Sequence, residues 1–525
     1  MRLGIDFGTT RVVVAAADRG NYPVVCFECA DGSVRDWIPP LIATREDGQR
    51  LYGWAAWQSL GAGGTTVIRS IKRVLGDAGP GTLIDLGNTA LPLGQILGEL
   101  AAHIRQELHA HTGTEPVEIL LGVPANANSN QRFLTLEAFH TAGFEVLGLL
   151  NEPSAASIEY AHRLQKLDTA PPELILVYDL GGGTFDASLV SRANGGYTVT
   201  ATESIATLGG DDFDEILASL ALSHGGLGDS RYSMTQAEEF LLLEECREKK
   251  EALHPNTRRI LIDLDRARPG WPQTAVPVAE FYEHCQPLVD ETLDVTDSLF
   301  ATLPEAAQIS LYVTGGASEL PLIGRLLRER FGRRVKRSAY TRAATAIGLA
   351  IQAAGHSSYQ LRERFSRHFG VWREGEAGRL IIFDPLFERG MQLVAPGNPP
   401  LTRTRTYSPV HNIGHFRYLE CSQRGESGEP TGDVSAWDEI RFPFDPALAG
   451  VEDLSTTPVL RSDVAASQLI EERYTADSSG AVRVTISNRT AGYSRVYRLA
   501  RWAVAEPDAP LRPRRTARHR SAKRS

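Results

Sequence analysis

The chain has 525 residues, 42% of them hydrophobic and 23% charged, with a formal net charge of −9. At about 150 residues per domain that length excludes a single core and predicts roughly three or four units, while the composition is ordinary for a soluble globular protein. The acidic balance excludes a nucleic-acid-binding body, and five scattered cysteines exclude a disulfide scaffold. With no apolar run of about 18 residues and no basic, apolar leader before the first strand, the expectation is a cytoplasmic chain without a membrane partner.

From the N-terminus, Leu3-Gly4-Ile5-Asp6-Phe7-Gly8-Thr9-Thr10-Arg11-Val12-Val13-Val14 reads as strand, Asp-x-Gly turn with threonines, strand. Cys26 and Cys29 form a Cys-x-x-Cys with no second pair or nearby histidines, so buried structural thiols are expected rather than a zinc site. Lys72 and Arg73 fall on an amphipathic helical stretch, residues 118–124 form an apolar strand run, and a helix is predicted over 130–141. Next, Leu174-Ile175-Leu176-Val177 leads through Tyr178-Asp179-Leu180-Gly181-Gly182-Gly183-Thr184-Phe185-Asp186 into Ala187-Ser188-Leu189-Val190, a second strand, turn and strand. Its three glycines are expected to adopt positive φ and bring backbone N–H groups against phosphate oxygens, leaving a carboxylate for a metal and a hydroxyl for the terminal phosphate. One such turn also closes ordinary hairpins. The repetition predicts two homologous halves closing on a nucleotide, each giving a phosphate loop and an Asp toward a metal's water shell. Strand and helix patterns alternate to about Ala354, and residues 355–360 read as a short linker. From Phe365 to Trp502, short alternating segments such as 379–385, 415–421 and 482–487 predict an all-β sandwich or barrel. Residues 506–525 are basic and aperiodic, predicting a disordered tail with no specific nucleic-acid role.

Three runs resemble, in order and spacing, the phosphate-1, phosphate-2 and adenosine motifs of the actin, sugar-kinase and heat-shock ATPase superfamily. They are Ile5-Asp6-Phe7-Gly8-Thr9-Thr10, the run from Asp179 to Asp186, and Tyr312-Val313-Thr314-Gly315-Gly316-Ala317-Ser318-Glu319-Leu320-Pro321. Asn151-Glu152-Pro153-Ser154-Ala155-Ala156 and Leu208-Gly209-Gly210-Asp211-Asp212-Phe213-Asp214 narrow the resemblance to the heat-shock protein 70 (DnaK-like) chaperones, over essentially residues 1–354. It implies an α/β, actin-like two-lobed ATPase domain (a duplicated ribonuclease-H-like fold) over 1–354 and a linker over 355–364. An all-β sandwich that binds substrate follows over 365–505, then the basic tail 506–525. ATP or ADP and Mg²⁺ are the implied cofactors. Carried over residue by residue, Lys72 would orient the attacking water and stabilise charge on the γ-phosphoryl. Asp6 and Asp179 would hold the waters of Mg²⁺, with Glu152 on the metal side. Thr9, Thr10 and Thr184 would hydrogen-bond phosphate oxygens within loops built on Gly8, Gly181, Gly182, Gly183, Gly209 and Gly210. Lys250 would contact the ribose, Gly315, Gly316, Ala317 and Glu319 would form the adenosine loop, and Pro124 and Arg132 would report nucleotide state to the second domain. Without the motifs, Lys72 reads as a solvated helix face, Glu152 as an N-terminal helix charge, Pro124 as a helix-entry proline and Arg132 as a surface arginine.

The sequence departs from the family pattern at the adenine end, where Arg247 stands for a usual Glu, Glu319 for the common arginine and Ala317 for a serine. Losing the cation that stacks on adenine predicts ATP binding weakened by about 1 kcal/mol. The acidic, leucine-rich linker of the family is replaced, the segment between Gly76 and Glu115 is shorter than usual, and no amphipathic helical stretch follows Trp502, so a helical lid is expected to be missing. Residues 383–390, 399–407 and 471–484 fall in the order of the strands of the family's peptide-clamping sandwich. The combined expectation is a lidless DnaK-like chaperone in which slow ATP hydrolysis shifts the sandwich between weak and tight binding of unfolded or partner polypeptide. A J-domain co-chaperone and a nucleotide-exchange factor are the further partners the resemblance implies. Two alternatives stay open: a nucleotide-dependent interaction module dedicated to one partner with little or no turnover, and, disfavoured by the chaperone motifs and the β domain, a small-molecule kinase.

Overall fold

The predicted strand, turn and strand around the three glycines form an antiparallel hairpin, Leu174–Leu180 with Phe185–Ala193, in which Asp179 lies opposite Asp186. The computed structural model describes residues 1–505 other than 30–31, 61–63, 76–77, 79–81, 87–88, 114, 116–117, 167–173, 194–195, 304–308, 356–359, 362–363, 376–379, 395–397, 479 and 500–502. The segment beyond Ala505, which holds the basic tail and most of the chain on which the lid expectation turns, and most of the expected linker therefore lie outside the described residues. Within that linker, Gln360–Leu361 adds as a short parallel strand to the edge of Gly196–Ile205.

The N-terminal hairpin, Arg2–Phe7 with Val12–Ala16, is the counterpart of the first. Its sheet runs Glu145–Asn151, Glu118–Val123, Arg2–Phe7, Val12–Ala16 in space. The second sheet runs Val335–Arg337, Ile309–Thr314, Leu174–Leu180, Phe185–Ala193, Gly196–Ile205, Gln360–Leu361. In both, one later strand pairs in parallel with the first strand of the hairpin, and a second pairs in parallel with that later strand. Each hairpin closes the same way, Gly8 donating its N–H to the Arg11 carbonyl and Gly181 to the Thr184 carbonyl, both at 3.0 Å. This is the duplicated, two-lobed actin-like fold. The helix predicted over 130–141 spans Ser129–Thr141, and its start is fixed by Asn128, whose side chain accepts from the Gln131 N–H while Gln131 reaches back to the Asn128 N–H.

Each lobe has its own apolar core, and a third lies between them. There the helices Glu152–Lys166 and Ala344–Ala353 cross with their backbones in contact: a methyl added at Gly348 would overlap the Ala155 carbonyl. Only glycine permits that approach.

After the lobes, two antiparallel sheets face each other. One runs Leu380–Phe387, His368–Gly375, Ile413–Arg424, Pro430–Pro443, and the other Leu401–Tyr407, Ile470–Ala476, Val482–Asn488, Tyr493–Leu499, Ala503–Ala505. Alternate residues such as Val482, Val484 and Ile486 point into a core with Phe369, Tyr418 and Phe442. The sandwich is also tied by charge. Arg373 of one sheet donates to the fully buried Glu472 of the other at 2.7 Å, and Arg405 reaches back to Asp384 at 2.8 Å.

Cys29 is buried as expected, but Cys26 is exposed, its thiol on the outer side of the loop against the Val24 carbonyl. Among the described residues no helix is long and apolar enough to cross a membrane, and no helix follows Asp463–Ala466.

Candidate active site

The two glycine turns meet across the cleft between the lobes. A Cβ placed on Gly182 would fall 2.5 Å from the Thr10 side chain, and one on Gly183 would fall 2.7 Å from the Thr9 side chain. That contact explains the glycines and corrects the conformational expectation. None of Gly181, Gly182 and Gly183 has φ in the left-handed region, so close approach rather than positive φ demands Gly182 and Gly183, whereas a Cβ on Gly181 would meet only its own turn, 3.4 Å from the Thr184 carbonyl; Gly315 is the turn glycine at φ +84°. From behind, the helix Gly210–His224 spends its first N–H groups on the turn, Gly210 donating to the Gly181 carbonyl at 2.9 Å and Asp211 to the Gly182 carbonyl at 2.7 Å. Gly209 packs against Gly182 at the same point.

At the base of the cleft Asp6, Glu152, Asp179 and Asp186 surround one cation, Lys72. The Lys72 ammonium donates to Glu152 Oε1 at 2.6 Å. Burial alone would lower its pKa, but Glu152 and Asp6 hold it above the ordinary lysine value. The aspartates respond in the opposite sense. Burial, then the Glu152 charge, pushes Asp6 and Asp179 up to about 8 and Asp186 to about 7. Asp186 Oδ1 is buried and finds no hydrogen-bond partner among the described residues. Four carboxylates against one ammonium leave a deficit of positive charge that a divalent cation would fill. Among the described residues no three such groups converge closely enough to ligate an ion directly.

Lys72 sits on a single helical turn, Ile71–Val74, entered through Ser70 at φ +57°. Its flanking arginines bind the opposite lobe. Arg69 pairs with Asp211 at 3.3 Å, and Arg73 donates to the Gly183 carbonyl at 2.9 Å and approaches Asp212 at 3.3 Å. These clamps pin the lysine to the phosphate turn. Sequence reasoning passed over them because an Arg beside a Lys looks like a solvated face; a basic triplet set among apolar positions was the available signal.

At the other end of the cleft, Lys250 lines the cavity, but its ammonium is held by Asp214 and the Gly210 carbonyl, each at 2.6 Å. Gly315, Gly316 and Ala317 line it as well. Glu319 stands behind the wall rather than in it, its carboxylate holding Arg342 at 2.6 Å. Arg342, which Glu319 holds, does line the cleft. Arg342 also donates to Glu251 at 3.0 Å, and Glu251 accepts from Arg11 of the first lobe at 2.6 Å. Burial would raise Glu251, but Arg11 and Arg342 bring it down to about 2. Neither arginine carried a local signal in the sequence.

Two expected residues lie away from the cleft. Pro124 ends the strand Glu118–Val123, its carbonyl accepting from Ala127 N–H. Arg132 is buried, not on the surface, and donates to Asn151 Oδ1 at 2.5 Å. It also lines a small cavity with Ser366, Arg367 and Glu420 of the β region. On the sandwich, Trp372, Ile381, Ile382, Val410 and Phe416 line a groove whose floor carries Arg405 and Asp384.

Comparison with known proteins agrees with this geometry. The family model described as Hsp70 protein matches residues 84–364, more than half of the chain. Chaperone protein HscA homologs of Burkholderia multivorans (strain ATCC 17616 / 249) and Burkholderia ambifaria (strain MC40-6) are each 31% identical over 373 residues, 67% of this chain. The chain spans 58% of the length of those curated relatives. With two phosphate turns closing on an acid-and-lysine cluster and a sandwich following the lobes, the chain belongs to the Hsp70 family.

Proposed function

We propose that the chain is an ATP-dependent chaperone in which Mg·ATP, held between the two glycine turns, is hydrolysed slowly and the nucleotide state alters how the sandwich holds extended polypeptide. The observation that carries this reading is the cluster of Asp6, Glu152, Asp179 and Asp186 about Lys72, lining the cleft where the two turns meet. Magnesium, when bound, would neutralise developing phosphate charge, with Asp6 and Asp179 holding its waters. Thr9, Thr10 and Thr184 would donate hydroxyl hydrogen bonds to phosphate oxygens. Lys72, held in place by Glu152, has N–H groups left to orient an attacking water and to stabilise charge on the phosphoryl oxygens. Asp186, raised to about 7 and with one free oxygen, suits uptake of the proton that water releases.

We place the ATPase domain at residues 1–354 and the substrate-binding sandwich at 365–505. The groove walled by Ile381, Ile382 and Val410 suits an extended apolar segment. Arg132 and Pro124 would couple the two domains: Ser366 Oγ donates to the Ala127 carbonyl at 3.4 Å, beside the Arg132 cavity. HscA-like relatives are named chaperones, and co-chaperone partners belong to this reading for the present chain too. The test is steady-state ATPase with and without short apolar peptides, in the full chain and in a variant truncated near Ser357. Stimulation in the full chain alone is expected. Turnover that peptides never change would overturn the coupling, and calorimetry without ATP binding at millimolar concentration with Mg²⁺ would overturn the reading entirely.

A further inference from the structure

We infer that Arg342 is the platform on which the nucleobase stacks, and that Glu319 and Glu251 position it; this rests on the nucleotide reading above. Arg342 lines the same cleft as the acid cluster, at the end that also contains Lys250 and Glu251. Its Nε and Nη2 donate to Glu319 Oε2 at 3.0 and 2.6 Å, and its Nη1 donates to Glu251 Oε2 at 3.0 Å. The N–H bonds of a guanidinium lie in its plane, so acceptors on three nitrogens brace it around its edge and leave its faces for stacking. Each brace is itself fixed. The other Glu319 oxygen accepts from Thr341 Oγ1, and Glu251 is held from the first lobe by Arg11, whose guanidinium in turn lies 4.7 Å over the Trp37 ring. Gly316 packs under the Arg342 stem, 3.6 Å from a Cβ position to Cγ, so the side chain has support below it.

The arrangement makes a chemical distinction. A planar cation with three of its five N–H donors already engaged offers a flat, polarisable face, which favours any aromatic base over the phosphates. The ligand is therefore divided into two parts: the acid-and-lysine end takes the triphosphate with its metal, and Arg342 takes the base.

The experiment is isothermal titration of the full-length chain with ATP and with inorganic tripolyphosphate, both with Mg²⁺. Arg342→Ala should weaken ATP about five- to tenfold and leave tripolyphosphate within about twofold. Arg342→Lys, which keeps the charge and loses the plane, should weaken ATP as alanine does. Glu319→Gln should weaken ATP in the same direction, again without changing tripolyphosphate, which also reports that each variant is folded at the site. Equal loss of both ligands in Arg342→Ala, or undiminished ATP affinity in Arg342→Lys, would overturn the platform while leaving the nucleotide reading intact. A wild type that binds tripolyphosphate as tightly as ATP would overturn it too, and a wild type that binds neither would remove the nucleotide reading with it.

Discussion

Replacing Lys72 by alanine should destabilise the lobes as well as silence them, and Glu152→Gln should restore much of the loss. The ammonium and the carboxylate are 2.6 Å apart, with 13% and 12% of their side chains exposed. At an effective permittivity of about 20, unit charges at that separation attract by about 6 kcal/mol, and desolvation offsets part of it. Without the lysine, Glu152 faces Asp6, Asp179 and Asp186 with no cation among them. Unfolding free energy should then fall by about 3–5 kcal/mol, the usual cost of breaking one side of a buried pair. In the double variant the orphaned charge is gone, so the cycle should show a coupling of about 2 kcal/mol or more. The assay is urea unfolding in EDTA at about pH 8, where the carboxyls ionise, followed by tryptophan fluorescence, since Trp37, Trp54 and Trp57 cluster in tilted and edge-on contacts in the first lobe. If Lys72→Ala unfolds at the wild-type midpoint, or if Glu152→Gln adds its own loss instead of restoring stability, the charge-deficit argument for a cation site fails. Loss of ATPase in both variants would not distinguish these outcomes.

A second prediction follows from the raised aspartates. Carboxyls whose folded pKa is lifted from 3.8 to about 8 bind protons more tightly in the folded chain, so stability present below about pH 4 is lost as pH rises through about 7–8. The melting temperature of the metal-free protein should therefore fall between about pH 6 and pH 8.5, and Mg²⁺ should raise it more at the higher pH. A Mg²⁺ shift that is flat with pH, read by differential scanning fluorimetry, would contradict this. Gly348→Ala should cost about 1–3 kcal/mol, because the new methyl meets backbone at Ala155 and the two helices must part; an unchanged melting curve would show that the crossing is looser than drawn. Glu472→Ala should lower the stability of the sandwich by about 3–5 kcal/mol by leaving Arg373 buried with only Asp384 beside it, whereas Glu472→Gln should cost less. Equal losses in the two, by chemical denaturation, would assign the cost to packing rather than charge.

The fold was legible where its causes are local. A strand, a glycine turn and a strand, written twice, specify two hairpins, and the capping pair Asn128 and Gln131 marks a helix start to within a residue of the predicted one. Alternation in 482–487 reveals one buried face of a sandwich because the side-chain period of a strand is two. What could not be read is what depends on elements meeting in space. Gln360–Leu361 looks like linker because its pairing partner, Gly196–Ile205, lies more than 150 residues earlier in the sequence. The glycines at 181–183 were placed correctly, but for a conformational reason. For Gly182 and Gly183 the reason in the structure is Thr10 and Thr9 of the other lobe, which no inspection of the turn itself can supply.

The same division separates the two ends of the cleft. At one end Asp6 and Asp179 each belong to a contiguous motif, and both line the cleft. On the base side the motif alone misleads, because a glutamate at 319 looks like the loss of a cation when the relevant unit is a pair. Glu319 and Arg342 are 23 positions apart and meet through both nitrogens of one guanidinium edge, so an acid in the loop can hold at the cleft an arginine from elsewhere in the chain. Glu251 extends the pair to Arg11 in the opposite lobe, which makes the base end a contact that closes the cleft as well as lines it. A nucleotide entering there must work against an ion pair between lobes, whereas the phosphate end meets an excess of negative charge that only a cation relieves. The order this imposes is testable in one titration: tripolyphosphate affinity should rise with Mg²⁺ through the acid cluster and rise again with Glu251→Gln, which frees Arg11 and loosens the lobes, while ATP gains less because Arg342 loses one of its braces. If Glu251→Gln instead weakens ATP and tripolyphosphate alike, the contact serves to build the site and not to close it.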